Sequence, residues 1–79
     1  LTSLRLDSNQ ISDISPLADL TSLISLRLDS NQISDISPLV ANPGLGEGDK
    51  VDLGYNPLSD ASLYTCIPQL QAGGVSVSY

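Results

Sequence analysis

The chain contains no histidine, one cysteine and only three basic residues among its 79 positions. Without an imidazole neither a Ser-His-Asp nor a Cys-His constellation can be built, so an enzyme is not expected. The single Cys66 cannot form an internal disulfide and so does not tell an oxidising compartment from a reducing one. Nine acidic residues leave a net charge of −6, which repels phosphate backbones and anionic lipid and argues against nucleic-acid binding and direct membrane insertion. There is no apolar run long enough to span a bilayer, and no N-terminal charged-then-apolar leader. The glycines of Gly44-Leu45-Gly46-Glu47-Gly48 follow no strand and open no helix, as a phosphate-cradling loop would require.

What the chain has instead is repetition. The segment from Leu4 to Leu17 returns letter for letter as Leu26 to Leu39. A period of about 20 to 50 residues marks a chain that stacks one small unit on the next, each burying the face its neighbour leaves open. The predicted architecture is therefore a solenoid. Leu4 and Leu6 alternate with period two, as a half-buried strand does. Ile14, Leu17 and Leu20 recur at every third residue, as in a tight helical or 3₁₀ turn. Each repeat reads as a strand, a bend and a return arm.

The pattern Leu-x-x-Leu-x-Leu-x-x-Asn-x-Ile, carried by Leu1, Leu4, Leu6, Asn9 and Ile11 and again by Leu23, Leu26, Leu28, Asn31 and Ile33, resembles the leucine-rich repeat. The segment Asn-Gln-Ile-Ser-Asp-Ile-Ser-Pro-Leu is similar to the 22-residue class of bacterial internalin-like surface proteins, and the resemblance covers essentially the whole chain. It implies an α/β solenoid, a right-handed superhelix with a parallel β-sheet on its concave face and short helical or 3₁₀ return arms on its convex face. It also implies a concave face that grips a partner, usually a protein, without a metal or cofactor.

Residues 1–79 read as a single leucine-rich repeat domain, with repeats at about 1–22, 23–47 and 48–71 and an end strand within 72–79. The third copy follows at a longer spacing than the second, with Val51, Leu53, Asn56 and Leu58 in the places of Leu26, Leu28, Asn31 and Ile33. Its extra residues fall in Val40-Ala41-Asn42-Pro43-Gly44, rich in turn formers and expected to bulge on the outer face. Leu63, Cys66, Ile67 and Leu70 follow the spacing of an amphipathic helix over Ser59 to Ala72. Ser59 or Asp60 is expected to cap it, Pro68 to kink or restart it, and Gly73 to close it. The last strand, Val75 to Tyr79, is placed with Val75 in the position of Val51.

The chain opens inside a repeat and without an initiating Met, so whatever preceded it is expected to have been removed by processing or cloning. Leu4, Leu6, Ile11, Ile14 and Leu17 are expected to present aliphatic surface there. At the other end Ser76 and Ser78 leave an edge strand without charge or proline. Either upstream repeats or head-to-tail self-association is expected to cover these ends.

Asn9, Asn31 and Asn56 form a column in which each amide can bridge backbone groups of adjacent turns, a structural ladder. The outward residues of the strands form lateral rows about 4.8 Å apart: Ser3, Ser25, Lys50 and Gly74; Arg5, Arg27, Asp52 and Ser76; Asp7, Asp29, Gly54 and Ser78; Ser8, Ser30, Tyr55 and Tyr79. Two readings of these rows stand side by side. In one they are a solvated lattice of exposed charge pairs. In the other Arg5, Asp7, Arg27, Asp29, Asp52 and Tyr55 form a partner-binding surface, since Arg and Tyr most often anchor interfaces. Asp13, Asp35 and Asp60 stand at the start of each return arm, where a carboxylate suits the backbone donors and local dipole better than it suits a metal ion. Cys66 shares the helix face with aliphatic residues and reads as a core thiol.

The function expected from these features is a non-catalytic module that binds a protein or glycan partner on its concave strand face, within a larger bacterial surface protein. The alternative is a structural subunit that assembles head to tail through its end strands. An extracellular or cell-surface setting fits the Ser- and Asp-rich, Lys-poor composition.

Overall fold

The computed structural model describes residues 3–79; Leu1, the first aliphatic position of the leading repeat, lies outside the described residues. Four short strands, β1 (Ser3–Arg5), β2 (Ser25–Arg27), β3 (Lys50–Asp52) and β4 (Ser76–Ser78), form one parallel sheet in chain order. Leu4, Leu26, Val51 and Val77 stand opposite one another along it. Each is the single aliphatic residue of its strand, with polar residues on both sides, so one face of the sheet is apolar and the other polar.

The return arms differ in kind. The first is a 3₁₀ turn, Ser15–Asp19, and the second a short helix, α1 (Ser37–Ala41). Both carry proline in their first turn, where its missing N–H is no loss. The third begins with a π-helical turn, Ser62–Cys66, and continues as α2 (Ile67–Ala72). Pro68 accounts for the wide turn. Its ring would clash with the carbonyl four residues back, and an Ile67 N–H that reaches the Ser62 carbonyl instead opens the helix before it restarts.

The core is aliphatic and centred on the second repeat: Leu23, Leu26, Leu28, Ile33, Ile36 and Leu39 are fully buried, joined by Val51, Leu53 and Ile67. Leu4, Leu6, Ile11 and Leu20 of the first repeat pack against this core but are only partly buried. Ile14 and Leu17 depart from the exposure expected of them, being 2% and 7% accessible. The reason is that α1 lies directly against the Ser15–Asp19 turn and covers its inner side.

One local expectation is corrected and two are made specific. The inserted segment does not bulge free. Asn42 takes the place of Leu20 and is 3% exposed, its Nδ2 donating to the carbonyls of Leu17 and Leu20 at 2.9 and 3.0 Å while its Oδ1 accepts the Gly44 N–H at 2.8 Å. An amide with both ends satisfied can be buried at little cost, and it ties the insertion inward. Ser59, not Asp60, caps the last helical segment: its hydroxyl accepts the Ser62 N–H at 3.2 Å. Gly73 ends α2, but the left-handed residue is Gly74, with φ +93°. The Val75 N–H then reaches the Leu70 carbonyl and the Gly74 N–H that of Gln71, both at 3.0 Å, the paired closure of a Schellman motif.

That closure sets the register of β4. Val77, not Val75, lies opposite Val51, so the last strand is displaced along the sheet from its expected register. A slip from Val75 to Val77 is even and preserves the faces. The rows end in Ser76 beside Lys50 and Ser78 beside Asp52, and Gly74 and Tyr79 leave the rows assigned to them.

Candidate interaction face

After each of the first three strands the chain turns through one left-handed residue, Ser8, Ser30 and Tyr55, with φ of 60°, 59° and 57°. This bend sends the following asparagine inward. Asn31 is buried, its Nδ2 donating to Leu6 O and Leu28 O at 2.9 Å each, while its Oδ1 accepts the N–H groups of Asn9 at 3.1 Å and Ile11 at 3.2 Å. Asn56 repeats this one turn later, donating to Leu28 O at 2.8 Å and accepting the Ile33 N–H at 3.1 Å. Asn9 is exposed and donates within its own turn, to Leu6 O at 2.9 Å. These amides join backbone to backbone, which leaves the polar face of the sheet as the place where side chains stand outward.

On that face Arg5 pairs with Asp7 at 3.3 Å and Arg27 with Asp29 at 3.2 Å, each within its own repeat. The Arg5 hydrogen bond holds the Asp7 carboxyl below its ordinary value. Arg27 is pushed further up by its bond to Asp29, with the charges of Asp29, Asp7 and Asp52 adding to it. The third repeat breaks the pattern. Its positive residue is Lys50, one row earlier, and Asp52 stands beside Arg27 on the adjacent strand with its Oδ1 accepting the Gly54 N–H at 3.0 Å.

A recess of about 270 Å³ opens over β2, β3 and β4, edged by Ser25, Arg27, Lys50, Asp52, Ser76 and Ser78. Of the six residues read as partner-binding, Arg27 and Asp52 border this recess. Arg5, Asp7 and Asp29 stand outside it, and Tyr55 projects beyond the end of β3, 91% exposed. Lys50 and the serines beside it were legible as members of the outward rows. Only the strand register shows that they enclose a common space.

The bend carboxylates serve the arms. Asp13 accepts the Ser15 hydroxyl at 2.6 Å and its N–H at 3.0 Å, and Asp35 accepts the Ser37 N–H at 2.9 Å. Both carboxyls are held below their ordinary value by these bonds. Among the described residues no three His, Cys, Asp or Glu side chains gather as a metal site, and no helix is long and apolar enough to cross a membrane. Cys66 is half-buried, and burial, with the nearby Asp35 charge, pushes its thiol up, the opposite of what activates a nucleophile.

The polar core residues Asn42, Asp49 and Ser62 had no signal in the repeat pattern. Ser62 is held by a hydroxyl bond to the Ser34 carbonyl at 2.6 Å and accepts the Ile36 N–H at 3.2 Å. Asp49 accepts the Gly46 N–H at 2.8 Å.

A sheet of parallel strands backed by short helical arms, one per repeat, defines a repeat protein of the leucine-rich type. The sequence matches the family described as Leucine Rich repeats (2 copies) over residues 1–41, about half of the chain, which belongs to that family. Its repeats generally mediate protein–protein interaction and are generally non-catalytic. A search among curated proteins finds no match.

Proposed function

We propose that the chain is a non-catalytic interaction module that binds a protein partner, or a glycan, through the polar face of its sheet, as the concave face of a right-handed superhelix. The observation that carries this reading is the placement of charge. All three basic residues of a chain with net charge −6, Arg5, Arg27 and Lys50, emerge from that one face. Asp7, Asp29 and Asp52 stand on the same face and balance these cations, whereas the other six acidic residues lie elsewhere with no basic residue among them, so this face differs from its acidic surroundings in the property that steers partners. Tyr55, fully presented at its rim, supplies the large amphipathic side chain that interfaces favour. The repeat motif supports an internalin-like type, and with it a bacterial, extracellular or cell-surface setting.

Arg27→Ala and Tyr55→Ala are expected to weaken capture of the partner without lowering the melting temperature, while Ser12→Ala on the bend changes neither. Capture unaffected by both face substitutions would overturn the reading. A second reading, head-to-tail assembly, is supported by β4, an edge strand of the sheet with uncharged Ser76 and Ser78 and a Val77 only partly buried. Light scattering separates the two: particles that grow with concentration and are abolished by Val77→Lys favour assembly, and a dilution-resistant monomer refutes it.

A further inference from the structure

The three cations of the sheet face are not equivalent. Arg5 and Arg27 are each neutralised by a carboxylate two residues further along their own repeat, at 3.3 and 3.2 Å. Lys50 has moved one row back, where its lateral neighbours are Ser25 on β2 and Ser76 on β4. Among the described residues it forms no ion pair and no side-chain hydrogen bond. Asp52, the carboxylate next in line, is turned toward the Gly54 N–H. An exposed ammonium with three donors thus stands between two small hydroxyl side chains at the edge of an open recess of about 270 Å³.

We propose that this recess receives one carboxylate, from an acidic side chain of the protein partner, held by Lys50 with the Ser25 and Ser76 hydroxyls as flanking donors. This rests on the reading of the sheet face as the binding face. The number of charges selects the occupant. Lys50 is the one cation of the face with no counter-ion of its own, and a carboxylate brings one negative charge to match it. A phosphate group brings about −1.5 to −2 and would place the excess against Asp52, which borders the same recess. The hydroxyls and the ammonium are all donors to an oxygen acceptor, and charge-assisted bonds of this kind are the strong ones at an interface.

The test is an NMR titration of the chain with the blocked tripeptide acetyl-Ala-Glu-Ala-amide, its Gln counterpart and its phosphoserine counterpart. The Glu peptide is expected to shift the signals of Lys50, Ser25 and Ser76 with affinity in the range of about 1 mM, and to weaken as salt is raised. The Gln peptide should bind about tenfold more weakly, the loss that follows removal of one charge-assisted hydrogen bond. Lys50→Gln should show the same loss, and so should Ser25→Asp, which sets a competing carboxylate beside an intact Lys50; Lys50→Arg should retain binding. Equal binding of the Glu and Gln peptides, tighter binding of the phosphoserine peptide, or shifts centred on Arg5 would each overturn the proposal. Signals of the recess that move on concentrating the protein alone would replace the partner with a second copy of the chain. The captured partner separates this proposal from the broader one: full affinity in Lys50→Gln with loss in Arg27→Ala retires the carboxylate site alone, whereas full affinity in all face variants retires the face.

Discussion

The Nδ2 of Asn31 reaches the carbonyl of Leu6 in the preceding repeat at 2.9 Å, so a single side chain fastens two successive turns of the chain. Its Oδ1 takes two further N–H groups of the same turn, Asn9 and Ile11. Asn31→Ala strands these partly buried groups, and the buried Leu28 carbonyl with them, and is expected to destabilise by about 1 to 3 kcal/mol. Asn9→Ala, at an exposed position with bonds only inside its own turn, should cost less. Urea denaturation of the two variants checks the order; equal midpoints would contradict the ladder.

Leu28 is wholly buried at the centre of the stack, with repeats on both sides, whereas Leu6 at the equivalent position is only partly covered. Leu28→Ala is expected to destabilise by about 2 to 5 kcal/mol because its cavity is walled by close-packed neighbours. Leu6→Ala should lose clearly less. Thermal melts of the pair read this directly, and the reverse order would mean that the core is centred elsewhere.

Gly44 lies so close to the preceding arm that an added Cβ would come within 1.9 Å of the Thr21 carbonyl oxygen and 2.5 Å of its carbon. Both atoms are backbone and cannot step aside. Gly44→Ala should therefore force the insertion away from the first repeat and break the Asn42 bonds to Leu17 and Leu20, lowering the melting temperature as much as Asn42→Ala does. Gly46→Ala, with only one atom near its Cβ position, is the control and should melt close to the parent chain.

The repeat pattern made the strands, the asparagine column and the arms legible because each depends on residues that recur: Leu26 at the position of Leu4, Asn31 at that of Asn9. It failed where the chain departs from recurrence. Asn42 replaces an aliphatic residue by hydrogen-bonding like a backbone group, which no hydrophobic pattern can register. The pattern leaves the register of the end strand open because the alternation of Val75 and Val77 with Ser76 and Ser78 fits either valine opposite Val51, and only the Gly73–Gly74 closure decides between the registers. The candidate face was legible as rows of residues, while the recess beside Lys50 depends on that same register.

Acid should loosen the arms. Hydrogen bonds from Ser15 hold Asp13, and those from Ser37 hold Asp35, below the ordinary carboxylate value. A carboxyl whose folded pKa is depressed contributes its full stabilisation above the unfolded value of about 3.9 and loses it as pH falls through the folded one. Stability is thus expected to be flat near neutrality and to decline below about pH 4. Asp13→Asn and Asp35→Asn should each make that decline shallower. Urea midpoints measured from about pH 5 to about pH 2 supply the test, and an acid limb unchanged in both variants would assign it to other carboxyls.

Tyr55 joins a conformational cost to the absence of any packing that offsets it. Its φ of 57° lies in the left-handed region, which costs an ordinary L-residue about 1 to 2 kcal/mol, and its ring is 91% exposed, so little contact within the fold compensates. Ser8 and Ser30 show that the repeat demands this backbone whatever the side chain. A small residue serves there twice, and a tyrosine in the third copy is then explained by what it presents outward. Asparagine tolerates the left-handed region through local hydrogen bonding. Tyr55→Asn is accordingly expected to hold the stability or raise it by up to about 1 kcal/mol, while weakening partner capture as Tyr55→Ala does. A variant that melts well below the parent chain would show that the ring supports the fold, and would remove Tyr55 from the binding face.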